Sequence, residues 1–101
     1  MNKTYEILIG KELTKGSSTI PVINPFTGEP FAKVCLADSH TIEKAIILAE
    51  KAFTKTRVLA AYQRSQICSE VATGIQKRSD EFARIIAQES GKPLIFARGE
   101  V

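Results

Sequence analysis

Apolar positions change their spacing once along this chain, near residue 38. Before that point they alternate or come in short bursts. "YEILI" (5–9) alternates, Gly10-Lys11 suits a tight turn, and "ELT" (12–14) follows, which predicts a small hairpin. "KGSST" (15–19) has loop composition, and "IPVI" (20–23) is a short strand whose proline favours a sheet edge. "NPFTGEP" (24–30) is turn chemistry throughout. "FAKVCLA" (31–37) is a strand with Phe31, Lys33, Cys35 and Ala37 on one face. Ala32, Val34 and Leu36 lie on the other, and the face carrying Val34 and Leu36 is expected to be the buried one.

After residue 38 the spacing becomes helical. Ile42, Ala45, Ile46, Ala49, Ala52 and Phe53 recur at three- and four-residue steps, with Ser39 as the expected cap and Glu43 in the first turn. A second helix is expected over about 60–78, with Ile67, Cys68, Val71, Ala72 and Ile75 on one stripe. Ser79 reads as the cap of a third, with Asp80 and Glu81 in its first turn and Phe82, Ile85 and Ile86 on its apolar side. Gly91 terminates it in the left-handed conformation that glycine tolerates. Pro93, at the first helical position, opens a fourth helix that runs toward Val101 with no cap or turn. The expected segment is therefore short antiparallel strands and a hairpin over about 5–37, then helices over about 40–54, 60–78, 80–90 and from 93 onward.

Composition changes this picture little. The chain of 101 residues is 44% hydrophobic and 25% charged, enough for one domain at most. Its 14 basic residues are interleaved with 11 acidic ones, and the net charge of +3 forms no basic stripe, so no nucleic-acid partner is expected. The longest unbroken apolar run, "AIILA" (45–49), is far short of a membrane span, and the charged start does not read as a signal peptide. A cytoplasmic location is expected, with Cys35 and Cys68 reduced. Without an export signal, the glycosylation triplet Asn2-Lys3-Thr4 carries little meaning.

Candidate chemistry is sparse. Gly91-Lys92 fails as a phosphate loop, because no glycine stands five places earlier and Pro93 replaces the required Ser or Thr. His40 reads as a solvated residue of a helix start. Neither cysteine has a neighbouring base or a CxxC partner, and Asp80-Glu81 reads as a helix-dipole pair. Read from the residues alone, the chain holds no catalytic constellation.

One resemblance adds to this reading. "INPFTGEPFAKVCLA" (23–37), followed by "IEKAIILAEKAF" (42–53), resembles the opening of the aldehyde dehydrogenase superfamily. The likeness continues through Arg64, Phe82-Ala83, Glu89-Ser90-Gly91-Lys92-Pro93 and Ala97-Arg98-Gly99-Glu100-Val101. Each short motif is weak alone, and their order and spacing make the combination strong.

The resemblance implies an α/β parent several times longer than this chain, of which residues 1–101 form an incomplete N-terminal part. It implies NAD or NADP as the parent's cofactor, an aldehyde as its substrate, and the remainder of the same polypeptide as this segment's partner. A homodimer or homotetramer is the implied assembly. In the family a catalytic cysteine adds to the aldehyde, hydride passes to the nicotinamide, and a glutamate-activated water releases the acid. Those groups and the cofactor-binding loops lie downstream of this stretch, so no catalytic and no cofactor-binding residue, and no bound cofactor, is assigned here. The 101-residue chain alone is expected to be inactive. The resemblance also implies a structural alkali-cation site at Val22, Ile23 and Glu89, where family members often carry Thr for Val22 and Asp for Glu89. Carbonyl and carboxylate oxygens suit such a hard cation. The competing expectation is a free-standing helical interaction module without enzymatic activity.

Overall fold

The computed structural model describes residues 3–101. Five short strands precede four helices: β1 (Lys3–Tyr5), β2 (Ile7–Ile9), β3 (Glu12–Thr14), β4 (Ser18–Ile23), β5 (Pro30–Leu36), α1 (Ser39–Thr56), α2 (Ala61–Lys77), α3 (Ser79–Ser90) and α4 (Leu94–Glu100). Contacts divide the chain into two compact units. The first takes residues up to Val22 with Pro30–Val58; the second takes Ile23–Glu29 with Leu59–Val101. Asn2 of the glycosylation triplet lies outside the described residues.

In the first unit β2 and β3 form the expected antiparallel hairpin, with Leu8 opposite Leu13 and Gly10 in the turn at φ +61°. The apolar run is split at Glu6, however. β1 leaves the hairpin and pairs parallel with β5, Tyr5 opposite Val34, in a three-stranded sheet of order β1-β5-β4. This corrects the expectation of antiparallel strands throughout. Alternation reports which face a residue occupies, whereas a parallel partner is chosen by a long crossover. β4, with Pro21, lies at the expected edge.

The expected burial of Val34 and Leu36 is also corrected. They are 37% and 39% exposed, while Ala32 and Cys35 are buried. Cys35 is covered locally, by the close approach of Gly16 to the end of β5. A Cβ at Gly16 would stand 2.2 Å from the Leu36 carbonyl oxygen and 3.0 Å from the Cys35 Cβ, so the loop seals Cys35.

The cap of α1 is Asp38, one residue earlier than expected. Its backbone is extended (φ −90°, ψ 176°), and its carboxylate accepts from the Thr41 N–H at 2.8 Å and the Thr41 hydroxyl at 2.7 Å. Ser39 is already helical, and Glu43 lies beyond the first turn, which holds no acidic residue. The Thr41 hydrogen bonds, the backbone one first, hold the Asp38 carboxyl below its ordinary value of 3.8.

In the second unit Arg64 closes the start of α2 by donating to the Leu59 carbonyl at 2.6 Å, and Gln63 accepts from the Ala60 N–H at 2.8 Å. A single non-helical residue, Arg78 (φ −110°, ψ 21°), separates α2 from α3. Ser79 is therefore the first helical residue and not the cap. Arg78 instead grips Glu81 with both ends of its guanidinium, at 2.8 and 2.7 Å. α3 packs on α4, and the buried residue of each helix is an alanine, Ala83 and Ala97, both 0% exposed. Asp80 ties the pair at the surface, accepting from Arg84 at 2.8 Å and from Arg98 at 3.2 Å. Those two bonds, Arg84 first, hold the Asp80 carboxyl below its ordinary value. Pro93 caps α4 with ψ 140° and precedes its first turn by one residue.

α1 and α2 contain no buried residue. The α2 stripe, expected as core, stands open: Ile67 is 51% exposed and Val71 57%.

Three outcomes follow from these contacts. Gly91→Ala, at φ +73° with a Cβ 2.9 Å from Pro25 Cγ, destabilises on the order of 1 kcal/mol or more, whereas Gly74→Ala, inside α2 with open space around it, stabilises by up to about 1 kcal/mol. Thermal unfolding followed by circular dichroism separates the two. Ala97→Leu overpacks the α3–α4 contact and costs about 1–3 kcal/mol by the same measurement. Because the folded-state value of Asp38 is depressed, its capping contribution is complete above the ordinary carboxylate value and is lost as pH falls through the lower, folded-state value. The protection factor of the Thr41 amide, its exchange rate relative to the intrinsic rate at the same pH, therefore falls in acid, and in Asp38→Ala it is already low at neutral pH and gains no such acid dependence.

Candidate functional site

The Asn24–Glu29 turn is built from its own side chains. Asn24 Oδ1 accepts from the Phe26 N–H at 2.9 Å, and Thr27 Oγ1 accepts from the Glu29 N–H at 3.3 Å. The Asn24 N–H donates to the Glu29 carbonyl at 2.9 Å, and the Gly28 N–H to the Asn24 carbonyl at 2.8 Å, which closes the turn. Gly28 sits at φ +74°. This is why Asn-Pro-x-Thr-Gly carries the turn: each polar side chain satisfies a backbone donor that no strand reaches.

The end of α3 completes the site. The Gly91 N–H donates to the Ala87 carbonyl at 3.0 Å, Ser90 Oγ donates to the Ile86 carbonyl at 2.6 Å, and the Lys92 N–H reaches Ser90 Oγ at 3.3 Å. Lys92 Nζ pairs with Glu100 across α4. Gly91 lies so close to Pro25 that any side chain there would collide. The two turns, far apart in sequence, thus enclose an open hollow of about 380 Å³ lined by Asn24, Phe26, Gln88, Lys92 and Pro93 among others. The turn chemistry of both segments is legible in the sequence, but their juxtaposition is not, because no local signal says which turn a glycine makes room for.

Of the cation-site residues, Val22 is half-buried in β4 and belongs to the first unit. Ile23 ends the same strand at 44% exposure and belongs to the second. Glu89 is exposed in the last turn of α3, in the second unit, and no hydrogen bond or ion pair engages its carboxylate among the described residues. An unpaired carboxylate and a main-chain carbonyl are hard oxygen donors, so the donor chemistry fits an alkali cation.

Among the described residues no group of three or more His, Cys, Asp and Glu side chains is placed to hold a metal ion. Cys35 is buried in the first unit, Cys68 is exposed on α2 in the second, and both are free thiols. His40 is exposed in the first turn of α1. No helix among the described residues is long and apolar enough to cross a membrane.

Comparison with known proteins meets this geometry at one point. The family model of the aldehyde dehydrogenase family matches residues 13–101. A 3,6-anhydro-alpha-L-galactose dehydrogenase of Streptomyces coelicolor is 37% identical over 88% of this chain, and the chain spans 18% of that enzyme's length. The crystal structure of an NAD-dependent aldehyde dehydrogenase from Sinorhizobium meliloti superposes with a TM-score of 0.91 at 30% identity, over 99% of this chain and 21% of that one. An aldehyde dehydrogenase from Bartonella henselae gives 0.93 at 27% identity, over 98% and 21%. The Asn-Pro-x-Thr-Gly turn, the helices after it and the Gly-Lys-Pro stop all fall within the matched stretch, and this chain belongs to the aldehyde dehydrogenase family.

Proposed function

We propose that these residues are the N-terminal segment of an NAD(P)-dependent aldehyde dehydrogenase, a scaffold whose chemistry is carried by the rest of the polypeptide. The observation that carries this reading is the open apolar stripe of α2. Ile67, Val71 and Ile75 are spaced for a core and left 51%, 57% and 38% exposed. A stripe of that kind is made to be covered. The span of 18% of a curated relative's length leaves most of such an enzyme outside this stretch, and on this reading the cysteine nucleophile, the activating glutamate and the cofactor loops belong to that remainder. The parent oxidises an aldehyde to a carboxylic acid with NAD or NADP as hydride acceptor, works in the cytoplasm, and assembles as a homodimer or homotetramer.

The same reading gives the Ile23 carbonyl and the Glu89 carboxylate to an alkali cation in the second unit. The cation would supply charge neutralisation at the end of α3, and the role is structural.

Two experiments test this function. Aldehyde-dependent NAD(P)H formation is followed at 340 nm for the 101-residue chain and for the longer gene product. The short chain gives none and binds an apolar-surface dye such as ANS. Turnover by the short chain would overturn the reading, and so would a compact chain that binds no dye, the behaviour of a free-standing interaction module. For the cation, the unfolding midpoint is compared in potassium, sodium and choline chloride at equal ionic strength. An alkali salt raises it, and Glu89→Gln removes the difference; equal midpoints in all three salts contradict the site.

A further inference from the structure

We draw no further inference here: the strongest candidate, the apolar groove between the β2–β3 hairpin and helix α1 lined by Ile7, Ile9, Ile42, Ala45 and Ile46, carries nothing because nothing in the structure shows what covers it.

Discussion

An apolar helix stripe is stable in water only against another apolar surface, and that constraint governs this chain. Its buried apolar residues among those described are Ile9, Ala32, Cys35, Ala83 and Ala97. Most of these are small, so they mark close backbone approach rather than a large mass of buried hydrocarbon. Several large side chains, among them Ile42 and Phe53 on α1 and Ile67 and Val71 on α2, are more than half exposed. Helices of this length draw most of their stability from tertiary packing of such faces. Their sequence periodicity is that of faces built for packing, and the described residues leave those faces open.

What the chain does supply is a set of locally satisfied joints. Asp38 caps α1, Arg64 and Gln63 close the start of α2, Arg78 and Glu81 brace the break before α3, and Gly91 stops α3 against Pro25. These joints rest mainly on neighbours close in sequence and fix element boundaries without a large core. Exposed ion pairs such as Asp80 with Arg84 and Arg98 add little stability individually. Of these, only the Asp80–Arg98 pair links α3 to α4, whose buried residues are Ala83 and Ala97.

The sequence made the periods and the Gly91 stop legible and left most of the other joints and the long-range choices hidden. Hairpin, turn and helices were readable because period, glycine and proline are local signals. The cap of α1 slipped by one residue because Asp38 and Ser39 are both good capping types, and only the extended backbone at 38 decides between them. Ser79 misled in the same way, since α2 and α3 are separated by one residue and leave no room for a capping turn. On β5 alternation does not predict burial, because the two buried residues, Ala32 and Cys35, lie on opposite faces, and Gly16 approaches only the Cys35–Leu36 end. The parallel β1–β5 pair has no local signature. At the candidate site both turns were recognisable, and family order supplied the rest: the ordered motifs from Asn24-Pro25 to Gly91-Lys92-Pro93 are specific together where each is weak alone.

Hydrogen–deuterium exchange of α2, in the 101-residue chain and in the proposed longer enzyme, tests most directly whether this stripe is built for a neighbour. If it is, amides of Ala61–Lys77 exchange close to the unstructured rate in the short chain and are protected by orders of magnitude in the longer one. Equal, strong protection of α2 in both would show that these residues stabilise the helix unaided, and would contradict the account.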